Sequence, residues 1–320
     1  MNDRDGEDFE FRKLATDDIW IVDDAYQQAV RSLPPAQRPA AGPHYDNPPL
    51  TEMRALASIS STDVLAAGID SIPVGVSLNP AIPEGRAAWY SFGFLLRRAA
   101  AVRLDVAESE LDVGMQPLLD MHTPFAPPTA RIFISDSLEN GAGYSTYLGD
   151  AGEFEDLLKF MLGQLGGPGS QQRQRSLDFH DPLVLAPHED ECSSSCHRCL
   201  REYGNMAYHP LLDWRLALDM VRLALDPAAP IDFSVGYWST LVARTAAPYF
   251  NGLNMCPVTL GGLAAGVDAG DALILTHPLW DHVDPANYRA EVGAAVADAE
   301  SQGLSWELRT IFRAVRFPYE

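Results

Sequence analysis

Apolar residues recur nearly all round a helical period across EGRAAWYSFGFLLRRAAAVRLDV (84–106), which predicts a helix buried on every side. RIFISDS (131–137) reads as a strand with a buried apolar run, and LENGAGYSTYL after it as a glycine turn feeding a helix. A helical period over DAGEFEDLLKFMLGQL (150–165) stops at GGPGSQQRQRS, read as a flexible polar loop. In PLLDWRLALDMVRLAL (210–225) the same period sets Leu211, Trp214, Leu218, Val221 and Leu225 on one face, with Pro210 in the first turn. TDVLAAGI (62–69) and SIPVGVSL (71–78) look like two short strands around a turn.

The last third alternates: a strand in DALILTHPLW (271–280), a helix across 285–303, then a strand in LSWELRTIFRAVRF. That order predicts a small β-α-β unit with a parallel pair. DPAAPID (226–232) is the candidate boundary before it. The expected class is α/β: a mixed sheet-and-helix domain over 51–226, then a C-terminal α/β unit over 227–320. Residues 1–50, acidic and then proline-rich, are expected to form a mobile extension.

Charge narrows the function. The 320 residues hold 44 acidic and 23 basic side chains, a net charge of −21, and such a surface repels phosphate backbones. Lys13 and Lys159 are the only lysines, and neither lies in a Gly-Lys-Ser/Thr context, so the sequence has no Walker A loop. No run of 18 apolar residues exists, and MNDRDGEDFEFRK lacks the basic and apolar regions of a secretory signal. A cytoplasmic protein with no membrane partner is expected, and there clustered cysteines point to metal before disulfide.

The cluster is CSSSCHRC, with Cys192, Cys196 and Cys199 spaced Cys-x3-Cys-x2-Cys. Short cysteine turns supply two or three thiolates to one tetrahedral zinc, and a fourth donor comes from further away. His209, just before Pro210, is the expected fourth ligand; His197, His188 and Cys256 compete with it. An iron–sulfur cluster also takes thiolates, although this spacing differs from the ferredoxin runs. The deaminase signature His-x-Glu…Pro-Cys-x-x-Cys is only superficially close, since no proline precedes Cys196. A closed structural site, a zinc knuckle, is the favoured reading.

CSSSCHRCLREYGNMAYHPLLDWRLALD resembles the Mrf-type zinc-binding segment at the C-terminus of a group of bacterial superfamily 2 helicases. TDVL at 62–65 and DSLENGAGY at 136–144 agree with the same family in order, so the resemblance covers roughly 55–225; THPLW (276–280) adds a weaker likeness. Relatives often carry a fourth cysteine shortly after the third, where this chain has REYGNMAYH. The resemblance implies a helicase-associated zinc-binding domain and a superfamily 2 helicase partner in trans, in DNA repair or in DISARM-type phage defence. DNA would then be reached only through the complex, and no intrinsic enzymatic activity is expected.

Three other stretches carry possible chemistry. ENGAGY could cradle a phosphate, but Asp136 and Glu139 would repel one, so a tight strand-to-helix turn is preferred. Arg97, Arg98 and QQRQR (171–175) are the basic spots most able to touch nucleic acid. His277, Asp281, His282 and Asp284 in THPLWDHVD could form a nuclease or hydrolase centre, against the simpler reading of a packed strand end.

Overall fold

A computed structural model describes residues 10–14, 19–22, 51–54, 57–118, 128–138 and 140–318, with side-chain surroundings from Thr62 onward. The architecture is mixed α/β. Within the expected N-terminal extension, β1 (Glu10–Leu14) and β2 (Ile19–Val22) are strands. They pair antiparallel with β4 (Ala57–Ser61) and β3 (Thr51–Arg54), respectively. The rest of 1–50 lies outside the described residues.

A three-stranded antiparallel sheet follows in the order β5-β7-β6: β5 (Val64–Gly68), β7 (Thr129–Asp136) and β6 (Leu111–Leu118). Ile132 and Ile134 of β7 point into the core and set the register, with Ile134 opposite Leu65 and Val113. The long helix α1 (Pro83–Leu104) packs on β6 and β7, and it is buried all round as its sequence requires. Contact with the sheet is close at Gly93, where a Cβ would come 2.8 Å from Val113 Cγ1.

SIPVGVSL is not a strand of this sheet. Its backbone finds partners far along the chain: Ser77 N–H donates to Leu279 O (2.8 Å), and Asp281 N–H to Gly75 O (2.9 Å). β5 pairs with β7 instead of folding back on 71–78.

The turn after β7 is organised by one carboxylate. Buried Asp136 accepts the N–H groups of Ala142 (2.7 Å), Tyr144 (3.0 Å) and Ser145 (2.9 Å), and the Ser145 hydroxyl (2.7 Å). Gly141 sits at φ 74, and a Cβ there would fall 2.7 Å from Asp63 Cγ. The turn delivers the chain to α2 (Tyr144–Leu148) and α3 (Ala151–Met161), capped by Asp150.

The expected polar loop ends sooner than the sequence reading has it. Ser170 accepts the Arg173 N–H and starts α4 (Gln171–Val184), which buries only Ser176 and Leu183. So thin an apolar stripe hides the helical period. A one-turn helix, α5 (His188–Glu191), precedes the cysteine loop. Next comes α6 (Trp214–Leu225), which begins at Asp213 rather than Pro210, because the Asp213 carboxylate accepts the Arg215 N–H (3.1 Å) and serves as N-cap. Trp214, Leu218 and Val221 are fully buried, and α6 lies against α1 and α3.

The helix α7 (Gly236–Gly252) has no counterpart in the sequence reading. It covers the hairpin of β8 (Cys256–Leu260) and β9 (Leu263–Asp268). β10 (Asp271–Thr276), α8 (Ala290–Ser301) and β11 (Ser305–Thr310) form the expected β-α-β unit with β10 and β11 parallel, and α9 (Ile311–Arg316) follows. The four-stranded order is β11-β10-β9-β8. On β10, Ala272 and Ile274 share a core with α8 residues such as Val292 and Ala295, while Leu273 and Leu275 enter the main core. Burial on both faces explains the unbroken apolar run ALIL.

Replacing Asp136 by Ala leaves several buried donors unpaired and is expected to cost about 3 kcal/mol of stability, with Asn losing less because it keeps one acceptor. Urea unfolding of the two variants checks this, and equal losses would count against the carboxylate's role.

Candidate metal centre

His188, Cys192, Cys196 and Cys199 each bring one donor atom into a group whose members all lie within 4.8 Å of one another. His188, Cys192 and Cys199 are buried, and Cys196 is partly covered. The Sγ atoms of Cys192 and Cys199 stand 4.0 Å apart, and those of Cys196 and Cys199 3.8 Å. Four thiolates at about 2.3 Å around a tetrahedral ion leave edges of about 3.8 Å, so the spacing fits one small ion.

Local backbone chemistry builds the group. The Cys196 carbonyl accepts N–H bonds from Cys199 (3.1 Å), Leu200 (3.1 Å) and Arg201 (2.9 Å), and Cys196 N–H points to Cys199 Sγ (3.1 Å). This tight knuckle places two sulfurs side by side. His188 enters from α5, where its Nδ1 donates to Leu183 O at 2.8 Å. That bond leaves Nε2 as the lone-pair nitrogen, and Nε2 is buried with no hydrogen-bond partner. A metal-binding imidazole has this arrangement, one nitrogen fixed by a carbonyl and the other free for the ion.

The histidine in this group is His188; the expected ligand His209 lies outside it. His209 Nε2 lies 2.8 Å from Asn205 Oδ1 and 3.0 Å from Glu202 O, both acceptors. Asn205 in turn accepts Glu202 N–H (3.0 Å) and donates to Leu200 O (2.8 Å). Asn205 and His209 thus lock the turn that leaves the knuckle. His197 and Cys256 are both exposed and outside the group. The signal for His188 was its place four residues before Cys192, which a one-turn helix converts into proximity.

Charges in the group are strongly coupled. The hydrogen bond from Cys199 lowers the Cys192 thiol to about 4 against the opposing effect of burial, with His188 assisting. The same bond and burial raise the Cys199 thiol. Proximity to the Cys192 sulfur raises His188, although burial opposes it.

Three helices hold the loop from outside through guanidinium groups. Arg215 of α6, fully buried, donates to Ser193 O (3.1 Å), Cys192 O (3.2 Å), Glu189 O (3.4 Å) and Tyr237 O (3.1 Å). Arg98 of α1 donates to Arg198 O (2.8 Å) and Cys199 O, and Arg244 of α7 to Asp190 O. Trp214 adds its backbone N–H to Ser194 O (3.1 Å) and packs its ring near His188. The sequence Leu-Asp-Trp-Arg (212–215) is therefore a device for joining α6 to the cysteine loop.

The other candidates have structural partners. In ENGAGY the N–H groups of Ala142 and Tyr144 are taken by Asp136 and that of Gly141 by Leu138 O, and Glu139 lies outside the described residues. His277 is fully buried; its Nδ1 accepts Leu279 N–H (3.1 Å), and its Nε2 lies 3.2 Å from Asp219 Oδ2. Asp281 and Asp284 accept N–H groups two residues ahead, and His282 Nε2 lies 2.6 Å from Thr276 Oγ1. These bonds make THPLWDHVD a packed strand end. Among the described residues no helix is long and apolar enough to cross a membrane.

No protein-family model matches the chain, and neither the curated proteins nor the solved structures compared with it include a significant match.

His188→Ala is expected to weaken metal binding by more than about 100-fold, a ligand's loss exceeding the 10–100-fold typical of outer partners. His209→Ala should keep full metal stoichiometry and lose about 1 kcal/mol of stability. Arg215→Met should weaken binding about 10-fold. Competition with a chromophoric chelator measures all three, and an equal effect of the two histidine variants would overturn the assignment.

Proposed function

We propose that the cluster is a structural zinc site and that the chain is a non-motor accessory component of a superfamily 2 helicase assembly, in bacterial DNA repair or phage defence. The observation that carries the metal reading is the unpartnered, buried Nε2 of His188 facing three cysteine sulfurs about one tetrahedral edge apart. Zinc fits three thiolates and one imidazole. An iron–sulfur cluster is larger than one ion and holds its thiolates further apart. Zinc would be held by His188, Cys192, Cys196 and Cys199 and would fix the loop on which α6 rests, supplying folding energy in place of catalysis.

The helicase reading rests on the resemblance of residues 192–219 and of DSLENGAGY. Its supporting observation is that motif residues outside the ligand set have structural work here: Arg215, Asn205 and His209 tie down the loop and its exit turn, and Asp213 caps the helix that carries Arg215. A shared motif kept for architecture fits a docking module. These 320 residues contain no Walker A loop, so an ATP-driven motor would be supplied by other sequence. The acidic surface suits docking onto a basic protein partner.

Elemental analysis should give about one zinc per chain, and iron in its place would overturn the metal reading. Zinc affinity should fall as pH drops from about 7 to about 5, because binding displaces protons. Cys192, lowered to about 4, remains a thiolate in that window, so the other donors carry the dependence, among them Cys199 and His188, both raised. Affinity independent of pH would contradict this. A tagged chain recovered from its native host should bring down a superfamily 2 helicase, and repeated recovery without one would refute the partnership.

A further inference from the structure

The two basic stretches that stand out in the sequence, around Arg98 and in QQRQR, meet in space. Arg98 of α1, Arg175 of α4 and Arg198 of the cysteine loop line one hollow of about 320 Å3, whose walls include Val102, Phe179 and Pro182. A second hollow of about 140 Å3 shares Arg175 and adds Arg103 and Phe160. Arg97, by contrast, turns away to Glu202 and Glu108.

Four arginines along one groove are unusual on a chain of net charge −21. Their availability differs. Arg175 is exposed and has no ion-pair partner among the described residues, whereas Arg198 is held by Glu191 in an exposed pair that screening keeps weak. Arg98 is anchored through the Arg198 and Cys199 carbonyls, and Arg103 pairs with Glu153. Asp178 also lines the groove, and its carboxylate accepts the Gln174 amide. At physiological salt the screening length is about 8 Å, so distant carboxylates scarcely act on an ion seated among these guanidinium groups. Local charge, not net charge, decides what binds there.

We propose that this groove binds a short segment of single-stranded nucleic acid, with phosphates at Arg175 and Arg198 and a base against Phe179 and Pro182. Guanidinium forks match phosphate oxygens, and aromatic or flat apolar walls accept any base face. Two hollows sharing one free arginine favour a continuous strand over a lone nucleotide. The site is independent of the helicase reading and gives the chain a nucleic-acid contact of its own, immediately beside the metal loop.

Fluorescence anisotropy of the full chain, metal bound, with a labelled oligothymidylate of about 12 nucleotides tests the proposal. Wild type should bind with a salt-dependent affinity, and Arg175→Glu should weaken it at least about 10-fold and reduce the logarithmic salt slope by about 0.7. Arg175 is exposed, so that variant should keep its metal content and melting temperature; Arg198→Gln serves as a second variant with a smaller loss. No binding by wild type, or affinity unchanged in both variants, would overturn the proposal. Thymidine monophosphate competing as well as the oligomer, or a duplex binding equally, would overturn the assignment to a single strand.

Discussion

The buried guanidinium of Arg215 is the interaction on which the arrangement depends. Its charge is taken entirely out of water, which is tolerable only because its donors are spent on carbonyls of the cysteine loop and on Tyr237 O. One side chain therefore fixes the spacing between α6, the start of α7 and the strand of chain that carries Cys192. The cysteine group inside the loop and the guanidinium outside it constrain the same backbone from opposite sides. Neither constraint is sufficient alone: the knuckle sets the sulfurs, and the arginines decide where the knuckle sits on the helices.

The same logic accounts for what the chain revealed in advance. Period and composition announce α1, β7, α3, α6 and the β10-α8-β11 unit, because each buries a stripe or face large enough to leave a pattern. Elements with little burial or poor helix formers stayed hidden. α4 contributes only Ser176 and Leu183 to the interior, and α7 contains Pro248 and begins and ends in glycine. The misread strand at 71–78 failed for a different reason. Its partners at 279–281 lie some two hundred residues away, and no local pattern encodes a pairing of that range.

At the candidate site, the three cysteines were legible from spacing alone, and the histidine grouped with them was not. His188 and His209 both flank the cluster, and choosing between them requires knowing that 188–191 forms a turn of helix while 203–208 turns back on itself. His209 instead saturates acceptors within its own turn. The basic groove shows a similar limit, since Arg98 and Arg175 are separate features in the chain and become one only when α1 and α4 are folded.

Asp219 carries a further consequence. This carboxylate on α6 is fully buried and accepts the Tyr237 hydroxyl (2.6 Å) and the Trp238 indole N–H (2.7 Å) from α7, with His277 from the end of β10 at 3.2 Å. Partners drawn from two other segments of the chain offset the cost of holding such a group inside. The half that carries the cysteine group and the C-terminal sheet consequently share one cooperative unit at this point. Partial opening on either side of 226–232 would strand the Asp219 charge, so the two halves gain their rigidity from each other.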